Sequence, residues 1–301
     1  MLWMWLACQP TDAPSTEKVR TGPIEVWSLS YPVHYLAERI GGAEIELHAL
    51  LPEGEDAAHW WPTPAQITQV AEADLLLANG ADFEGWLKTA SLPTGLVVPA
   101  AKGFSAIVLE GQTHSHGKGG EHSHAGIDPH VWMDPDIYQL QAQQVAKALK
   151  ARDPEHAELY QARFEELSSE LNSLIAESTP ILAGLQGYAL AANHPAFNYW
   201  MRRFDLSIHN FDVPADEAPS ATGVSEAQSW AESRSKALLI WEDAPSEALQ
   251  MALQGYLHLE LDNLEGPEAG QAYNYMTQYR GNLEDLQRFL SAQAKEEPHA
   301  P

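Results

Sequence analysis

Asp153-Pro154-Glu155-His156-Ala157-Glu158-Leu159-Tyr160, carried on by Gln161 to Glu177, is the stretch on which the fold turns. Asp followed by Pro opens a helix, because the carboxylate accepts first-turn N–H groups and Pro has none to leave unpaired. The Glu-rich, amphipathic sequence that follows predicts one long helix from Glu155 to about Glu177. A helix of this length, with strand and helix patterns alternating on both sides, has the reach of a backbone between two lobes.

Upstream, Ile24-Glu25-Val26-Trp27-Ser28-Leu29-Ser30 has β character, and Pro32 to Ile40 reads as a helix closed by Gly41-Gly42. The alternation continues with Ile45 to Leu51 as strand, Pro64 to Ala73 as helix and Leu75 to Ala78 as a buried strand ending at Asn79-Gly80. Short strands follow at Leu96 to Pro99 and Ala106 to Leu109, and Asp134-Pro135 opens a helix through Tyr138 to Lys150. Downstream, Gly187 to Ala192 and Ala237 to Trp241 read as strands, with Ala196 to Phe204 and Ser225 to Arg234 as helices. Such alternation argues for an α/β protein of two lobes, each a mainly parallel sheet flanked by helices. The boundaries expected are a leader and linker at 1–20, a first lobe at 21–133, linking helices at 134–179, a second lobe at 180–294 and a tail at 295–301.

With 301 residues, 45% of them apolar, the chain can bury a sizeable core. A formal charge of −25 repels phosphate backbones and anionic membrane surfaces, which excludes nucleic acid as a partner and suits either a cation or plain solubility. The lone cysteine, Cys8, rules out an internal disulfide or thiolate cluster, so a metal must be held by imidazoles and carboxylates. Met1 to Cys8 is apolar and ends Leu6-Ala7-Cys8, which resembles the end of a bacterial lipoprotein signal with Cys8 as the lipid attachment site. It lacks the basic segment and full apolar run of a secretory signal, so an ordinary apolar N-terminus is the other reading. No other segment approaches the apolar length of a membrane span.

Two His-Ser-His pairs, His114/His116 and His122/His124, lie within the Gly-rich segment 111–126 beside Lys118 and Glu121. Closely spaced imidazoles on flexible backbone bind Zn, Cu or Ni without preformed geometry, which suggests a metal-collecting loop; a polar loop with incidental histidines is the plainer alternative.

Directly after it stands Asp128-Pro129-His130-Val131-Trp132-Met133-Asp134-Pro135. This motif resembles the zinc and manganese substrate-binding proteins of bacterial ABC importers. Ser30-Tyr31-Pro32, Ile40-Gly41-Gly42, Leu51-Pro52-Glu53-Gly54-Glu55-Asp56, Ala73-Asp74-Leu75, Asn79-Gly80 and Glu84-Gly85-Trp86 extend the resemblance across residues 24 to 290. It implies two α/β lobes joined by a long rigid helix, one metal held in the cleft between them and a membrane permease as partner, with a monomer expected. By the same resemblance His130 is a ligand, His194 in Asn193-His194-Pro195 is a second, and Asp262 supplies a carboxylate, with Glu260 and Glu242 as alternatives. At the first ligand the chain departs from the family pattern: Ala58 occupies the expected place and His59 follows it. His59 is therefore the expected ligand, with His34 as the nearby alternative. Three imidazoles and one carboxylate suit tetrahedral Zn2+, with Mn2+ or Fe2+ next. A zinc hydrolase is the competing class, but neither a His-Glu-x-x-His helix nor a His-x-His-x-Asp-His loop is present. Metal storage or adhesion on the same scaffold is a third reading.

Overall fold

A computed structural model describes residues 22–109, 113–115, 121–123, 126–211, 213, 221–267 and 270–296. The first sheet is wholly parallel: β1 (Ile24–Ser28) lies between β2 (Ile45–Ala49) and β3 (Leu75–Ala78), and β4 (Val97–Pro99) flanks β3. Leu75 to Ala78 is buried throughout, the continuous apolar run of a strand covered on both faces. α1 (Tyr31–Gly41) returns the chain from β1 to β2, and α2 (Pro64–Val70) precedes β3. α2 opens with a reciprocal cap between Thr63 and Gln66. It stops three residues short of the expected Ala73, and Glu72 and Ala73 instead make turn bonds back to Gln69 and Val70. Beyond β4, β5 (Val108–Leu109), β6 (Thr113–Ser115), β7 (Glu121–Ser123) and β8 (Gly126–Ile127) form two nested antiparallel pairs, with His114 and His122 opposite each other along the backbone of the inner one.

α3 (Pro135–Arg152) starts on Asp134, whose carboxylate accepts from the Asp136 N–H at 2.9 Å. α4 (Ala157–Ala183) is the predicted strut, longer at its C-terminal end than expected. Tyr160, Leu167, Leu171, Leu174 and Leu182 are all fully buried along it. Arg39 grips Glu170 through both terminal guanidinium nitrogens, and Arg163 pairs with Glu44, tying α4 to the first lobe.

In the second lobe β9 (Ala189–Ala192), α5 (Asn198–Arg203), β10 (Ile208–Asn210), α6 (Ala221–Glu232), β11 (Ala237–Trp241), α7 (Glu247–Ala252) and β12 (Leu257–Glu260) follow in chain order. The strands form a second parallel sheet in the order β10-β9-β11-β12. α8 (Tyr275–Glu296) then packs against α4. A single apolar cluster runs from Ile24 through Leu171 to Leu286, so the lobes share a core at their junction. Among the described residues no helix is long and apolar enough to cross a membrane.

Candidate metal centre

Both sheets turn the carboxyl ends of their strands toward one cavity of about 480 Å³. This is where open parallel sheets place ligands, because the loops leaving the strands converge there. His34, His59, His130 and His194 line it, together with Asp56, Glu242, Asp243 and Glu265.

His130 is nearly solvent-free, and its Nδ1 lies 2.8 Å from Asp128 Oδ1, which also accepts the His130 backbone N–H at 3.0 Å. Asn79 anchors the same turn by donating to the Pro129 carbonyl at 3.0 Å. His194 follows β9 in extended backbone, and Pro195 starts the next turn. Its Nδ1 stands 3.2 Å from Glu242 Oε2. The two rings meet edge to face, with centroids 4.7 Å apart. Burial pulls the His194 imidazole down, but the charges of Glu242, Asp128 and Asp56 outweigh it and hold the ring above its ordinary value.

The offset between Ala58 and His59 is absorbed by a tight turn. The Asp56 carbonyl accepts from the N–H groups of His59 at 3.1 Å and Trp60 at 2.8 Å, and its carboxylate accepts from the Ala58 N–H. The other carboxylate oxygen engages His59 Nδ1. Ala57 goes into the core and His59 into the cavity lining, so the displaced imidazole reaches the cleft by loop curvature rather than strand alternation.

The expected carboxylate does not arrive there. Asp262 Oδ1 accepts from the Leu264 N–H at 2.6 Å and from the Tyr273 hydroxyl, while its backbone is held by Asn282. These bonds commit it to shaping its own turn, outside the cavity lining. Glu260, at the end of β12, is exposed and also outside. The chain instead brings Glu265 in, three residues on, with Oε1 buried and without a hydrogen-bond partner. Burial and the nearby Asp56 and Glu242 carboxylates push the Glu265 carboxyl well up. The only sequence signal for it was an acid in the Gly266-Pro267 turn. Glu242 lines the cavity as a partner of His194, and Asn263 donates to it at 3.2 Å. His34 also lines the cavity, hydrogen-bonded through Nδ1 to Ser28 Oγ at 2.8 Å. His116, His124 and Cys8 lie outside the described residues, and His114 and His122 are described by backbone alone.

Among the described residues, no group of three or more His, Cys, Asp or Glu side chains stands close enough together to hold an ion. The donor chemistry is nonetheless uniform: three imidazoles, each with Nδ1 facing a carboxylate, and one buried carboxylate among them. A family model described as ZnuA, the periplasmic component A of a zinc-uptake complex, matches residues 26–289. The chain belongs to this family. Its members are substrate-binding proteins of transporters, not enzymes.

The chain is 24% identical over 299 residues to the high-affinity zinc uptake system protein ZnuA of Bacillus subtilis, covering 94% of this chain and 93% of that one. It is 26% identical over 221 residues to the manganese ABC transporter substrate-binding lipoprotein PsaA of Streptococcus mitis, covering 68% and 66%. The solved Zn(II)-bound ZnuA-like domain of AdcA from Streptococcus pneumoniae matches with a TM-score of 0.75 at 20% identity, covering 89% of this chain and 99% of that one. At that identity the match establishes the fold, two α/β lobes, and no more.

Proposed function

We propose that this protein captures one zinc ion in the cleft between its lobes and delivers it to the membrane permease of an ABC importer. The observation that carries the reading is the pairing of His59, His130 and His194 with Asp56, Asp128 and Glu242 at Nδ1. A carboxylate on one ring nitrogen selects the tautomer that leaves Nε2 bare for a metal and raises its basicity. Three such imidazoles with Glu265 match the four-coordinate preference of zinc. The relative named for zinc uptake supports this choice, and the relative named for manganese makes Mn2+ the competitor. Fe2+ stands with it as the third candidate.

Loading draws the donors inward, because a cation offsets the repulsion among Asp56, Glu242 and Glu265. The His-rich segment, with His114, His116, His122 and His124, serves as an accessory collector that raises the local supply of ions. The protein works outside the cytoplasm as a monomer, held to the membrane by a lipid on Cys8.

Protein purified without added metal, titrated with zinc against a chelating dye and then challenged with manganese, tests the reading. One tight zinc per chain that equimolar manganese does not displace is expected. His130→Ala and His194→Ala each weaken it at least about tenfold, whereas His116→Ala does not. Preferential manganese retention, or equal small effects of all three substitutions, overturns the assignment.

A further inference from the structure

The turn that opens α5 belongs to the second lobe, yet it grips a residue of the first. Asn198 Nδ2 donates to Asp128 Oδ2 at 2.9 Å, and the Tyr199 hydroxyl donates to the Asp128 carbonyl at 3.0 Å. The Tyr199 oxygen also accepts from the Ile107 N–H at 3.0 Å, and the Asp128 N–H donates to the Ile107 carbonyl at 2.9 Å. Asp128 is completely buried and Asn198 nearly so. The two carboxylate oxygens of Asp128 therefore divide their work: Oδ1 serves His130, and Oδ2 faces Asn198 across the lobe boundary.

The orientation of Asn198 is itself determined. An ionised carboxylate only accepts, so the Asn198 amide nitrogen must face Asp128. Its oxygen then accepts from Asn210 Nδ2 at 2.9 Å, on the edge strand β10. The result is a line from the part-buried Asn210 through the buried Asn198 and Asp128 to His130. Without Asn198, Oδ2 is left buried and unpaired, and the carboxylate gains by rotating toward another donor. Rotation withdraws the acceptor that fixes the His130 ring.

We infer that Asn198 is a positioning residue for metal capture: acting from the second lobe, it locks the Asp128 carboxylate so that His130 presents Nε2 to the cleft. The ligand geometry of the first lobe thus depends on its contact with the second. The inference rests on the role proposed above for His130.

The test measures zinc affinity by dye competition in the full chain for Asn198→Ala, Asp128→Asn, the double variant and His130→Ala, with nitrogen NMR of labelled histidines in the metal-free protein. Asn198→Ala is expected to weaken zinc on the order of tenfold and to shift the His130 nitrogen signals from one tautomer toward a mixture. In the Asp128→Asn background the same substitution is expected to add less than about twofold, since the group it acts through is gone. If Asn198→Ala fails to fold, Asn210→Ala removes only the brace on the amide and must move affinity and signals the same way. Unchanged affinity and unchanged His130 signals overturn the inference, as does an equal loss with and without the Asp128 carboxylate, which marks packing alone. If His130→Ala itself keeps wild-type affinity, the proposed metal site fails instead.

Discussion

At the scale of single residues, the centre turns on which acid faces the cleft and which serves the chain. Asp262 and Glu265 are three residues apart, yet the first is consumed by the Leu264 N–H and the Tyr273 hydroxyl while the second enters the cavity. Glu265→Gln is therefore expected to weaken zinc at least about tenfold, the loss of a direct ligand exceeding that of a ligand's partner. Asp262→Asn should leave affinity within about twofold and lower stability by roughly 1 kcal/mol. Titration and thermal melting of the pair separate the roles, and the reverse pattern returns the carboxylate to Asp262. Another carboxylate, Glu84, is buried at the carboxyl ends of β1 and β3, accepting from Asn79 N at 2.6 Å and Gly80 N at 3.2 Å. Burial outweighs these bonds and pushes it up to about 7 from an ordinary 4.5. Between those values the folded state holds a proton that the unfolded chain has lost, so the Glu84 contribution to stability falls as pH rises through this window and is flat above it. Glu84→Gln removes the titration. Relative to wild type, the variant should gain up to roughly 3 kcal/mol between pH 4 and pH 8, read from urea unfolding of the metal-free protein. Parallel curves at both pH values contradict the assignment.

At the scale of elements, local pattern was legible wherever capping and periodicity agreed. Asp134 and Pro135 mark the start of α3 where the carboxylate cap is found. α4 continues past Glu177 because Ser178 and Leu182 still face the core, even with Pro180 inside the helix. α8 carries Tyr275, Tyr279, Leu283 and Leu286 at helical spacing, but its polar remainder masks a stripe whose meaning appears only when α4 lies against it. β10 and β12 are short and half-buried, with too few residues to show a period. The His-rich segment is closed at its foot by β5 and β8, where Val108 pairs with Ile127 and Leu109 with Gly126. Deleting Gln112 to Ala125 leaves Glu110-Gly111 between Leu109 and Gly126, the two residues of a tight hairpin turn, and so keeps that pairing within reach. The tight zinc site is then expected to persist with unchanged affinity while total bound metal falls. Loss of all tight binding makes the loop itself the primary site.

At the scale of the whole molecule, a charge of −25 acts on the encounter with the ion more than on the bound state. Stopped-flow loading should slow several-fold between about 10 mM and 300 mM salt, as screening shortens the Debye length from roughly 30 Å to under 10 Å. Release into excess chelator should change little. A loading rate independent of salt assigns the acidity to solubility alone. The lobes are joined by shared core and by bonds such as Trp132 Nε1 to the Asn263 carbonyl at 2.8 Å. These ties resist a wide hinge, so the inward shift of donors proposed on loading is expected to take the form of small adjustments of cleft loops.

What the sequence determined by itself was what local interactions encode: the caps, the apolar runs of covered strands, the long strut, and the Asp128-to-Pro135 motif that puts an imidazole and its carboxylate partner two residues apart. These depend on neighbours a few positions away and survive in the unfolded reading. The identity of the cleft-facing acid, the inward turn of His59 and the reach of Asn198 to Asp128 were decided only by tertiary structure. Asp262 and Glu265 are chemically alike in a loop, and the choice between them depends on whether Tyr273 and Asn282 come to occupy one of them. His59 depends on how a turn bends around Asp56, and Asn198 meets its partner across 70 residues of chain. Periodicity carries no information about such contacts, because they exist only after two separate sheets have packed against one strut.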